Sequence, residues 1–118
     1  VSELTTHVLD TAAGRPAVGV AIDLTRILPD GAGELVAQIV TNAAGRTDAP
    51  LLSGAAMLAG RYQLSFHVGA YFRDKLGDET ALPSLDIVPV RFVIADPAAY
   101  YHIPLLVSPW SYTVYRGG

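Results

Sequence analysis

Apolar and polar residues alternate with a period of two through much of the chain. Val20, Ile22 and Leu24 interleave with Ala21, Asp23 and Thr25, and Tyr62, Leu64, Phe66 and Val68 interleave with Gln63, Ser65, His67 and Gly69. In an extended chain that period sends the two sets to opposite faces, so each segment reads as a strand with one face buried. Similar segments run from Thr5 to Leu9, Leu35 to Thr41, Val88 to Ile94, Tyr101 to Val107 and Ser111 to Arg116, divided by turn-forming clusters such as Pro29-Asp30-Gly31 and Asp96-Pro97. Seven or eight short strands with short connections predict an all-β fold, an antiparallel sandwich. Tyr71 to Gly77 departs from the pattern, with charges at helical spacing and a glycine at the place of a C-terminal cap, and predicts one short α-helix.

A chain of 118 residues has the length of one domain, expected here to span residues 1–118 around a single core. The net charge of -3 and the lack of a basic block exclude a phosphate-tracking surface, so no nucleic acid is expected as a partner. With no cysteine, disulfides and thiolate sites are excluded. No segment approaches the roughly 18 consecutive apolar residues of a membrane span. The opening Val1-Ser2-Glu3-Leu4 lacks signal-peptide character, and the expectation is a soluble cytoplasmic protein, a trimmed leader aside. Hydrophobic residues make up 51% of the chain and charged residues 16%, which is more apolar than a small monomer needs and points to subunit interfaces.

Ser108-Pro109-Trp110-Ser111 reads as a tight turn that joins the last two strands into a hairpin. Centred on Pro109 and Trp110, it sets Leu106 opposite Thr113, Pro104 opposite Tyr115 and His102 opposite Gly117. His102, Pro104, Leu106, Thr113 and Tyr115 then share one face, a cleft or subunit contact. Ile103, Leu105, Val107, Tyr112 and Val114 share the other, the core face.

Of the three histidines, His7, His67 and His102, no two have the spacing of a metal-ligand pair, so no metal is expected. His67 reads as a surface histidine on the polar face of its strand. Taken singly, His7 and His102 are ordinary strand residues, and Arg46 is an ordinary hairpin-loop arginine within reach of Asp48. No phosphate-binding glycine loop, nucleophile elbow or paired-carboxylate motif is present.

Two longer motifs change that reading. Leu4-Thr5-Thr6-His7-Val8-Leu9-Asp10, followed by Gly14-Arg15-Pro16-Ala17, resembles the opening of the transthyretin-related family. The closing segment from Tyr101-His102-Ile103-Pro104 through Tyr115-Arg116-Gly117 resembles the 5-hydroxyisourate hydrolase branch of that family. This branch differs from the hormone carriers in having His7 for lysine, Arg46 for glutamate, His102 for threonine, and the Tyr-Arg-Gly ending. Gly118 stands where the family most often has serine, so a role for that hydroxyl cannot apply; Trp110 and Val114 are departures within family variation.

The resemblance implies hydrolysis of 5-hydroxyisourate to 2-oxo-4-hydroxy-4-carboxy-5-ureidoimidazoline by opening the six-membered ring at N1–C6. His7 is then the general base, His102 orients the water or donates to the leaving nitrogen, and Arg46 stabilises the oxyanion. Arg116, Tyr115 and the Gly118 main chain bind substrate, with Leu9, Pro104 and Leu106 as apolar walls. It also implies no cofactor, water as the only co-substrate, and a homotetramer, a dimer of dimers, whose channel holds the sites. The alternative is a transthyretin-like small-ligand carrier without catalysis.

Overall fold

In the computed structural model, which describes residues 2–77 and 84–117, the alternating segments become strands. The described elements are β1 (Glu3–Asp10), β2 (Arg15–Pro16), β3 (Ala21–Ile27), β4 (Gly33–Val40), β5 (Leu52–Ser53), β6 (Gly60–Phe66), α1 (Val68–Leu76), β7 (Val88–Ile94), β8 (Tyr100–Val107) and β9 (Tyr112–Val114). One sheet has the order β2-β1-β8-β9 with β5 also on β1, and the other the order β4-β3-β6-β7. Gly118 lies outside the described residues.

Period-two patterning builds the core between the sheets. Leu4 and Val8 of β1, Ile22 and Leu24 of β3, Leu64 and Phe66 of β6, and Leu105 and Val107 of β8 are all fully buried. Burying each such side chain contributes about 1.5–3 kcal/mol. The helix closes one side: Val68, Tyr71 and Phe72, at helical spacing, are buried against the same cluster. It starts three residues earlier than Tyr71 and ends as expected, at Gly77 in the left-handed conformation (φ 65°), whose N–H donates to the Arg73 carbonyl.

The hairpin register is as expected. Leu106 pairs with Thr113, Leu105 with Val114, and an isolated bridge joins His102 to Gly117. Strand pairing itself stops at Val114, short of the expected Arg116. Tyr112, expected on the core face, is instead 43% exposed, because β9 is the outermost strand and the core cluster reaches only Val114 beside it.

Direction within one pair also departs from expectation. β1 and β8 run parallel over eight residue pairs from Glu3↔Tyr100 to Asp10↔Val107, while every other strand pairing among the described residues is antiparallel. Short turns dictate antiparallel neighbours, but β1 and β8 come from opposite ends of the chain, and no turn constrains them. This parallel pair carries the site.

β1's other edge is shared. β5 takes its first residues, β2 its last. Between them, the Val8 N–H donates to the Gly45 carbonyl (2.8 Å) and the Val8 carbonyl accepts from Ala17 N–H (2.9 Å). At its end, buried Asp10 accepts from the Ala12 and Ala13 N–H groups and from Tyr71 Oη at 2.7 Å, tying the strand to α1. Among the described residues no helix is long and apolar enough to cross a membrane.

Candidate active site

Along β1, Leu4, Thr6, Val8 and Asp10 point inward, and Thr5, His7 and Leu9 are half-buried on the outer face. Partners in a parallel ladder present their side chains on the same side of the sheet. The register Thr5↔His102, His7↔Pro104 and Leu9↔Leu106 therefore lays these six residues in one band, with Thr113 extending it from Leu106. His7, Leu9, His102, Pro104 and Leu106 thus lie on one face of the sheet.

Arg46 arrives from the other sheet. Its loop is not the hairpin expected from the sequence but the crossing from β4 to β5. Asn42 shapes it: Oδ1 accepts from the Ala44 and Arg46 N–H groups, the Asn42 N–H donates to the Arg46 carbonyl, and Nδ2 donates to Asp48. Gly45 lets the loop lie against β1, having a φ of +73°, and a Cβ there would collide with the Val8 carbonyl oxygen.

This docking brings the guanidinium close enough to both histidines to act on their titration. Burial first, and then the Arg46 charge, hold His7 below the ordinary histidine pKa, partly opposed by the Ala44 carbonyl. Burial, Arg46 and then His7 hold His102 down as well. Both rings are therefore biased toward neutral imidazole near pH 7, the form that can take a proton. A hollow of about 190 Å³ is lined by the Arg46–Pro50 loop, Thr5, Thr6 and Tyr100, and neither histidine is among its lining residues. A larger one, about 480 Å³ between Arg26, Leu28, Glu34 and Arg61, touches none of Arg46, Thr5 or Tyr100.

His102 is tightly placed. Its Nδ1 lies 2.8 Å from Thr5 Oγ1, which is also 2.9 Å from Tyr100 Oη, and the Tyr100 ring stacks parallel to the imidazole at 6.3 Å. Gly117 closes the other side by donating its N–H to the His102 carbonyl at 2.7 Å. A Cβ on Gly117 would stand 2.8 Å from His102 Cδ2, so only glycine fits without displacing the ring.

Tyr115 and Arg116 are arranged differently. Tyr115 is 54% exposed. The Arg116 guanidinium stacks over the Tyr101 ring at 4.2 Å and donates to the Tyr100 carbonyl at 3.3 Å, so this chain by itself does not turn it toward the histidines. Thr5 and Tyr100 were not singled out in the sequence. Their signal was alternation alone: each lies two residues from a candidate histidine on the same strand face.

Residues 4–117 match the model of the HIUase/Transthyretin family. The chain is 52% identical over 117 residues to 5-hydroxyisourate hydrolase 2 of Rhizobium meliloti, covering 97% of this chain and 94% of the relative. Among solved structures it resembles 5-hydroxyisourate hydrolase of Klebsiella pneumoniae, with a TM-score of 0.81, 38% identity and full coverage of both chains. It also resembles (S)-allantoin synthase, with a TM-score of 0.89, 44% identity and coverage of 98% of this chain but 43% of that one.

Proposed function

The chain belongs to the HIUase/Transthyretin family, and from that premise we propose that it hydrolyses 5-hydroxyisourate, opening the six-membered ring at N1–C6 to give 2-oxo-4-hydroxy-4-carboxy-5-ureidoimidazoline. The observation that carries this reading is the convergence on one sheet face of two histidines biased to the neutral form and one arginine. An amide-like carbon needs an activated water, a home for the charge on its oxygen and a proton for the departing nitrogen.

His7 takes a proton from water as the hydroxyl adds to C6, an effect worth about 10²- to 10⁴-fold. The Arg46 guanidinium receives the oxyanion, worth about 3 kcal/mol. The tetrahedral centre then collapses, the C–N bond breaks, and the proton held by His7 passes to the nitrogen. His102 orients the water or donates to the leaving nitrogen, and Leu9, Pro104 and Leu106 wall the flat substrate. A single domain spanning residues 1–118 carries the reaction without a cofactor.

The working form is a homotetramer, a dimer of dimers, in which Tyr115, Arg116 and Gly118 complete the substrate site at the subunit contact. Its support is the apolar surface left uncovered: Leu35 and Val40 on β4, Val93 on β7, and Trp110 and Tyr112 at the β8–β9 hairpin are all between 43% and 74% exposed. A cytoplasmic location belongs to the same proposal. The carrier alternative has only the shared fold in its favour, and His102 and Tyr115 narrow the face that a long apolar ligand would need.

The test is the absorbance decay of 5-hydroxyisourate generated in place by urate oxidase, with native protein and with His102→Asn. Native protein is expected to accelerate the decay and the variant to lose most of that acceleration. Decay at the spontaneous rate with native protein overturns the hydrolase reading.

A further inference from the structure

One hydroxyl joins the His102 ring to a phenol. Thr5 Oγ1 is 2.8 Å from His102 Nδ1 and 2.9 Å from Tyr100 Oη. The topology makes this contact: Thr5 and His102 are partners in the parallel register, and Tyr100 precedes His102 by two residues on the same face, its ring within 6° of parallel to the imidazole.

Each hydroxyl has a single hydrogen. If Thr5 accepted from both neighbours, its own hydrogen would have no protein partner among the described residues, so two wirings use every hydrogen. Either Tyr100 donates to Thr5 and Thr5 donates to Nδ1, or Nδ1–H donates to Thr5 and Thr5 to Tyr100. A phenol oxygen shares its lone pair with the ring, which makes it a good donor and a weak acceptor, whereas an aliphatic hydroxyl accepts well. The first wiring therefore wins. Nδ1 then accepts, and the one proton of the neutral imidazole sits on Nε2.

We propose that Thr5, oriented by Tyr100, is a positioning residue that holds His102 as its Nε2–H tautomer, so that His102 meets the substrate as a neutral hydrogen-bond donor and leaves the base role to His7. A neutral imidazole N–H can polarise a carbonyl or steady a departing nitrogen without giving up its proton. The water proton then makes the whole journey on His7, from the attacking water to the leaving nitrogen, and His102 begins and ends the cycle in one state. His7 fits the complementary part, as the other imidazole on the same sheet face. The word substrate rests on the hydrolase reading; the wiring of the three groups does not.

The tautomer is read directly from the imidazole nitrogen chemical shifts of ¹⁵N-histidine-labelled full chain near pH 7, with His102→Asn used to assign the signals. Native His102 is expected to show an unprotonated Nδ1 and a protonated Nε2. Thr5→Val keeps the shape and removes the donor; it is expected to populate the other tautomer and to lower kcat about tenfold with KM nearly unchanged, the scale of one lost hydrogen bond. Thr5→Ser is expected to restore both readouts, and Tyr100→Phe to shift the tautomer ratio the same way by less. The proposal is overturned if native His102 carries its proton on Nδ1, or if Thr5→Val leaves both tautomer and kcat at native values. If native protein gives no acceleration, the hydrolase reading falls, while the nitrogen shifts still decide the wiring on their own.

Discussion

Replacing Gly117 by alanine adds one methyl group at the back of the His102 ring. The new Cβ would lie 2.8 Å from Cδ2, 3.5 Å from Cγ and 3.6 Å from the His102 Cβ, so the ring edge must retreat about 0.6 Å to reach the 3.4 Å where ordinary contact begins. Backbone strain does not enter, because Gly117 is not among the residues with positive φ. The ring cannot retreat freely: Thr5 holds Nδ1 at 2.8 Å and Tyr100 stacks beside it. If the ring moves, reacting groups are misplaced by over half an ångström, and misplacement near 1 Å costs about 10²-fold. If the terminal segment lifts instead, the Gly117 N–H bond to the His102 carbonyl is lost, a cost of about 1 kcal/mol. The expected result is a fall of about 10- to 100-fold in kcat/KM with a stability change near 1 kcal/mol. Decay of 5-hydroxyisourate gives the first number and urea unfolding the second. A variant within twofold of native rate and of native stability would refute the claim that Gly117 sets the place of His102.

Arg46→Ala is expected to lower kcat by about 10²- to 10³-fold through the lost oxyanion donor. Because the Arg46 charge helps depress both histidine pKa values, the acid limb of the pH–rate profile should also move to higher pH; burial, the larger cause, remains, so the move is partial. An unmoved limb would show that neither histidine feels Arg46. Tyr71→Phe removes the 2.7 Å donor to buried Asp10 and should cost about 1–3 kcal/mol in urea unfolding. Burial, then the bond to Asp10 and its charge, raise the Tyr71 pKa. The unfolded tyrosine ionises first, so native stability should decline above about pH 10, by up to about 1.4 kcal/mol per pH unit, and the variant should lack that contribution. His67→Asn breaks the 2.8 Å contact to Asp23 on the other sheet, where both side chains are about a third exposed, so it should cost under about 1 kcal/mol and leave turnover unchanged. The bond from His67 is the main cause of the lowered Asp23 pKa. That stability is present above the unfolded carboxylate pKa and lost as pH falls through the folded one, so the variant's acid limb of stability should be flatter. A severalfold loss of turnover in this variant would mean that the outer face of the second sheet takes part in the reaction.

What the sequence determined by itself was local. Alternation of apolar and polar residues set which segments become strands and which face of each is buried, because side-chain direction in an extended chain depends only on position parity. The glycine after Leu76 ended the helix where expected, and the Ser108–Ser111 turn fixed the register that brings His102 opposite Gly117. Candidate residues His7, Arg46 and His102 were legible only through likeness to a family, since singly each was an ordinary loop or strand residue. Tertiary structure alone decided the rest. The parallel pairing of β1 with β8 joins residues 97 positions apart, and nothing in either segment specifies a partner or a direction. Thr5 and Tyr100 meet His102 only because that register is in place. Arg46 reaches the histidines because a glycine without a Cβ lets a crossing loop hydrogen-bond the open edge of β1. Arg116 turns onto Tyr101, and Tyr112 meets solvent at the sheet's edge, although parity alone put Tyr112 on the core side. Parity is a property of one strand; which strand lies beside it, and where the sheet ends, follow from how the whole chain buries its apolar surface.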